Sequence, residues 1–149
     1  MSFQLHPQLE ADCYALGDLP LSRLLLLNDA RFPWCVLVPR IDGAREIHRL
    51  TDSQQAQLYP EINAVSRALE DLFSPDKLNV AAIGNLVPQL HVHVIARSVH
   101  DAAWPNPVWG FAGREVYAAD AVEKRRQQLA ARLGDLLVDQ DQPPGPTTG

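Results

Sequence analysis

Gln89-Leu90-His91-Val92-His93-Val94-Ile95-Ala96-Arg97 is the stretch on which the fold of this chain turns. Polar and apolar residues alternate from 89 to 94, the period of a β-strand, whose side chains leave on opposite faces in turn. Such a strand puts Gln89, His91 and His93 on one face and Leu90, Val92 and Val94 on the other, against a core. At a rise of about 3.3 Å per residue the two imidazoles stand roughly 6.6 Å apart along the strand. A row of ring nitrogens on a rigid element can serve as nucleophile or as metal ligand.

The metal reading needs a third ligand. His6, His48, His100, Cys13 and Cys35 are scattered and form no ligand-spaced cluster with the pair. No metal and no other cofactor is therefore assigned, and a zinc protein using His91 and His93 stands as an alternative.

The bulk numbers bound the rest. At 149 residues there is room for one domain with a real core. Hydrophobic content of 46% and charged content of 21% are ordinary for a globular protein. A net charge of −5 gives no overall field for a nucleic acid polymer, although a small anion can still bind through local donors. The two cysteines show no motif spacing and read as reduced, which suits a cytoplasmic protein. No apolar run approaches about 18 residues, so no membrane partner is expected. The N-terminus lacks the basic and apolar regions of a secretory signal.

Around the histidine strand the pattern is that of an α+β domain. Pro7 to Ala11 suits a helical turn with proline in its first position. Cys13 to Leu16, Leu21 to Leu27 and Trp34 to Val38 read as short strands, the second ended by Asn28-Asp29. Thr51 and Gln54 have capping-box spacing and open a helix whose stripe is Leu58, Ile62, Val65, Leu69 and Leu72, ending near Phe73. Lys77 to Ile83 reads as a strand that returns antiparallel through Gly84 to Pro88 into the histidine strand. Arg97 after it reads as a solvated charge. The loop from Asp101 to Gly110, with Trp104 and Trp109, is expected to pack over the domain or contact a subunit and to do no direct chemistry. A second helix runs over Asp120 to Leu137, with Lys124, Arg125 and Arg126 on a solvated face. The expectation is an antiparallel sheet of about five strands with two main helices in a single domain over 1–138. The Pro/Gly-rich tail over 139–149 is expected to be disordered.

The run Gly84 to Arg97 resembles the signature of the histidine triad (HIT) family, His-φ-His-φ-His-φ-φ preceded by Gly-Gln-Ser/Thr, with φ apolar. Gln89 stands at the first histidine, His91 at the second and His93 at the third; Asn85 replaces Gln, and Leu86 replaces Ser/Thr. More loosely the likeness extends upstream to Asn28 and to Val36-Leu37-Val38-Pro39-Arg40. The resemblance implies the HIT fold, commonly a homodimer, and a nucleotide-type small-molecule substrate. It implies that His91 is a nucleophile at the α-phosphorus, that His93 stabilises charge beside it, and that no metal takes part. Gln89 would support the site through its amide and backbone carbonyl. Gly84 and Asn85 would bring amides to the phosphates, and Asn28 and Asn79 resemble polar residues that contact nucleotide. The position aligned with the usual partner of the first histidine is Cys35.

A neutral imidazole is a competent nucleophile near neutral pH, its reference pKa being about 6.5. The reading is thus a phosphohydrolase or nucleotidyl transferase. It would act on a nucleotide conjugate, such as a dinucleoside polyphosphate or a nucleoside phosphoramidate, through a nucleotidyl-His intermediate. Because Gln89 cannot carry a proton and Leu86 has no hydroxyl, a nucleotide-binding module with little turnover is the other alternative.

Overall fold

The computed structural model describes residues 3–139, so the tail expected to be disordered lies, but for Asp139, outside the described residues. Five strands form one antiparallel sheet: β1 (Cys13–Asp18), β2 (Ser22–Leu27), β3 (Trp34–Pro39), β4 (Lys77–Ala81) and β5 (Val92–Arg97), in the order β1-β2-β3-β5-β4. Among the described residues three α-helices accompany it: α1 (Pro7–Asp12), α2 (Asp52–Phe73) and α3 (Ala119–Leu133). The α+β expectation of about five strands and two main helices holds, with α1 as the short turn that Pro7 starts.

Alternation decides which face each residue serves. Leu24 and Leu26, Cys35 and Leu37, and Val92, Val94 and Ala96 point to the face covered by α2 and α3, where they join Leu58, Ile62, Val65, Leu69 and Leu129 in the main core. Leu25, Trp34, Val36, Val38 and Ile95 point to the opposite face, under Leu9, Phe32, Ala103 and Val108. Both faces are buried, so β3 and β5 are fully buried along their length.

Helix α2 begins as its cap dictates: the Thr51 hydroxyl accepts from the Gln54 amide at 3.1 Å, and the Gln54 side chain accepts from the Thr51 amide at 2.9 Å. Its buried face also holds Glu61, which the apolar stripe does not include. That carboxylate accepts from the amides of Leu21 at 2.8 Å and Ser22 at 2.9 Å and from the Gln57 side chain, and so fixes the β1–β2 turn to the helix.

Several expectations need correction, beginning with β4, which ends at Ala81 and not at Ile83. The histidine strand begins at Val92 and not at Gln89, because the Leu90 amide leaves the sheet to bond the Ala44 carbonyl at 2.9 Å. Helix α3 ends at Leu133, where Gly134 takes a φ of +56° and turns the chain into a short 3-10 helix. Its basic face is not wholly solvated: Arg126 donates to the Ala15 carbonyl at 2.7 Å, and the Arg125 guanidinium lies 4.3 Å from the Phe73 ring centre. Arg97, finally, is no solvated charge; it is 2% exposed. It lies over the Phe32 and Trp104 rings and donates to Asn79, Asp101 and the Asn106 carbonyl.

Candidate active site

His93 sits within β5, opposite Val36 of β3 and Ala81 of β4, and His91 stands one residue before the strand begins. Both are on the face away from α2, as the alternation requires, and both are buried, at 7% and 6% exposure. Their ring centres are 4.9 Å apart and nearly perpendicular. They line a cleft of about 600 Å³. One wall is the loop after β4, from Ile83 to Val87; another is Trp109 and Phe111 from the β5–α3 connection; Leu9, Leu27, Asp29 and Arg114 also line the cleft. His91 also borders a smaller cleft of about 340 Å³ on the far side of Ile83 and Gly84, with Arg45, His48 and Gln55.

The first imidazole is held by the backbone. His91 Nδ1 lies 2.7 Å from the Gln89 carbonyl oxygen. The second is held by a side chain: Trp34 Nε1 donates to His93 Nδ1 at 2.9 Å. Trp34 and Trp109 flank the His93 ring, at 5.6 Å and 5.3 Å between centres. Burial, and after it the neighbouring His91, push His93 down to about 3, so this ring is neutral at physiological pH.

Of the residues picked out in the sequence, the cleft gathers His91, His93, Gly84 and Asn85. Gly84 has a φ of +68°, which favours glycine there, and Asn85 and Leu86 are exposed on the same loop. Asn28 and Asn79 are not among its lining residues. The Asn28 side-chain oxygen accepts from the Tyr117 amide at 2.9 Å, and that of Asn79 accepts from Arg97 at 2.9 Å. The Gln89 side chain turns to the N-terminal segment, its Oε1 accepting from the His6 amide at 2.8 Å and its Nε2 donating to the Gln4 carbonyl at 2.9 Å. It has no contact with Cys35, which is fully buried on the α2 face opposite Val94; the pairing of these two positions is corrected by the register. Burial pushes the Cys35 thiol up to about 12, so it is not a nucleophile.

Several residues of the cleft were not singled out in the sequence. Trp34 read only as a strand residue, and Trp109 belonged to a loop expected to do no chemistry. Asp29 is buried and paired with Arg31 at 2.8 Å. Burial works to raise its pKa, but bonds from Arg31 and from the amides of Arg31 and Glu115 outweigh that and hold it below the usual value. The spacing Asp29–Arg31 was the available signal for that pair; Trp34 faces Ile95 across the ladder and reaches His93 only through the β3–β5 register.

No group of three or more His, Cys, Asp and Glu side chains among the described residues is placed to hold a metal ion. No helix among them is long and apolar enough to cross a membrane.

Comparison with known proteins places this geometry. The model of the HIT domain matches residues 8–100. No curated protein matches the chain. Among solved structures, a histidine triad protein from Bradyrhizobium japonicum is 50% identical, with a TM-score of 0.87 over 89% of this chain and 98% of that one. One from Marinobacter aquaeolei is 45% identical, with a TM-score of 0.88 over 91% and 99%. A third, from Sinorhizobium meliloti, is 40% identical, with a TM-score of 0.86 over 88% and 97%. With His93 on β5 and His91 one residue before that strand, and with that match over most of its length, the chain belongs to the histidine triad (HIT) family.

Proposed function

We propose that the protein cleaves nucleotide conjugates at the α-phosphate, as a hydrolase or a nucleotidyl transferase, with His91 as nucleophile. HIT membership carries nucleotide-binding hydrolase and transferase chemistry in general; the site of cleavage and the intermediate are the finer step. The observation that supports it is the 2.7 Å contact between His91 Nδ1 and the Gln89 carbonyl. A carbonyl oxygen only accepts, so Nδ1 carries the hydrogen and Nε2 keeps the lone pair. Attack by Nε2 on the α-phosphorus forms a P–N bond as the bond to the leaving group breaks. Water, or another acceptor hydroxyl, then displaces His91 and releases the nucleoside monophosphate or its ester. Because this hold is made by a backbone atom, glutamine at position 89 leaves it in place.

Gly84 and Asn85 stand beside His91 on the cleft wall, where a backbone and a side-chain amide suit phosphate oxygens. Leu86 is 95% exposed and supplies no hydroxyl there. That absence is what favours the second reading, a module that binds nucleotide with little turnover. The test is a panel of dinucleoside polyphosphates and nucleoside phosphoramidates, assayed for released monophosphate and quenched early for mass analysis of a nucleotidyl adduct on His91. An adduct that disappears in His91→Ala supports the enzyme. Saturable nucleotide binding with neither adduct nor product supports the binding module. About one zinc per purified chain, held through His91 and His93, would favour the metal reading.

A further inference from the structure

The contact between Trp34 and His93 has a fixed chemical direction. An indole N–H is a donor and never an acceptor. Its position 2.9 Å from His93 Nδ1 therefore requires a lone pair on that nitrogen. A neutral imidazole with a lone pair on Nδ1 carries its one hydrogen on Nε2. Resting on the nucleotide reading for the identity of the substrate, we propose that Trp34 is a positioning residue for His93: its N–H holds the ring as the Nε2–H form, so that His93 offers the phosphate a donor and no lone pair.

The two histidines are then set in opposite tautomers by two different devices. A backbone acceptor puts hydrogen on His91 Nδ1, and a side-chain donor keeps hydrogen off His93 Nδ1. Their Nε2 atoms differ accordingly, one a nucleophile and the other a donor suited to a non-bridging oxygen whose charge grows in the transition state. The arrangement also opposes an imidazolium at His93. A second hydrogen on Nδ1 would meet the indole N–H, so protonation would break the contact. The groups packed on His93 are His91 on its own chain segment, Val36 and Trp34 from β3, Ala81 from β4, and Trp109 from the β5–α3 connection; of these only His91 titrates. Asp29 and Arg114 share the cleft but are engaged with Arg31 and Asp12. Burial, and after it the neighbouring His91, lower the pKa of His93 as well.

The experiment is nitrogen NMR of the histidine rings in the full chain, which needs no substrate. The expected result is an unprotonated Nδ1 at His93, a coupling across the hydrogen bond between Trp34 Nε1 and His93 Nδ1, and no titration of that ring from pH about 8 to about 4.5. Trp34→Phe keeps most of the ring volume and removes the donor; there the His93 titration should rise into that window. Trp109→Phe is the control, since the Trp109 N–H is buried without a partner, and it should leave the ring signature unchanged. On a nucleotide conjugate that the parent cleaves, Trp34→Phe should lower kcat about tenfold and change KM less than about twofold. Hydrogen on His93 Nδ1 in the parent, or a titration that Trp34→Phe leaves unmoved, would overturn the proposal, as would an effect of Trp109→Phe equal to that of Trp34→Phe. The parent spectrum decides the tautomer even if Trp34→Phe does not fold. If no conjugate is turned over, the nucleotide reading fails while the ring signature still decides what Trp34 does.

Discussion

The guanidinium of Arg97 and the carboxylate of Asp101 meet through two bonds, Nε to Oδ2 at 2.7 Å and Nη2 to Oδ1 at 3.1 Å, with both side chains buried. Asp101 also accepts from the amides of Ser98, Ala103 and Trp104, and Arg97 reaches the Asn106 carbonyl. One pair at the end of β5 thus gathers the start of the connection that brings Val108 and Trp109 to the cleft. The histidines and the wall beside them are held by the same strand.

Arg97→Met is expected to destabilise the protein by about 3–5 kcal/mol, because it leaves the Asp101 charge buried without its partner. Urea unfolding of parent and variant measures this. Replacing both residues by apolar ones should recover part of the loss, since no unpaired charge remains. A loss under about 1 kcal/mol for Arg97→Met would show that the pair does not organise the connection.

The same pair gives the protein an acid limit. Burial raises the pKa of Asp101, but the Arg97 bonds and the three amides more than offset it and hold the carboxyl at about 2, below the ordinary value of 3.8. A group depressed on folding contributes stability that is fully present above its unfolded pKa and is lost as pH falls through the folded one. Asp101 should therefore contribute about 2 kcal/mol at neutral pH that fades between about pH 4 and pH 2. Unfolding free energies measured across that window should fall more steeply for the parent than for Asp101→Asn, which has no carboxyl to protonate.

His91→Ala is expected to abolish turnover, by several orders of magnitude in kcat, while unfolding free energy changes by no more than about 1–3 kcal/mol. Released monophosphate and a thermal melt check the two halves. Near-parental activity in the folded variant would remove His91 from the nucleophile's role.

Gln89→Ala is expected to cost about 1–2 kcal/mol of stability, the two bonds to the N-terminal segment, and to change kcat less than about tenfold. The contact with His91 is made by the carbonyl of residue 89 and survives the change. Because Cys35 lies on the other face of the sheet, the effects of Gln89→Ala and Cys35→Ala on stability should add within about 0.3–0.5 kcal/mol. A larger coupling in a double-mutant cycle would mean that the two positions communicate through β3.

The sequence by itself determined the layers and the histidine strand. Alternation from 89 to 94 assigned each side chain to its face, because strand geometry is local and its period is two. The Thr51–Gln54 cap and the stripe from Leu58 to Leu69 likewise fixed α2, since caps and helical faces are read within a few turns. The motif brought His91, His93, Gly84 and Asn85 forward together because they are close in the chain. The tertiary structure alone decided what surrounds them. Trp34 and His93 are 59 positions apart and meet only through the β3–β5 register. Gln89 spends its side chain on residues more than 80 positions away, and Arg97 is buried only because Asp101, Asn79 and two aromatic rings fold over it. Register, not composition, put Cys35 behind the sheet and Trp34 in front of it. A shift of one residue exchanges the faces, and no feature of either residue taken alone records which way that shift falls.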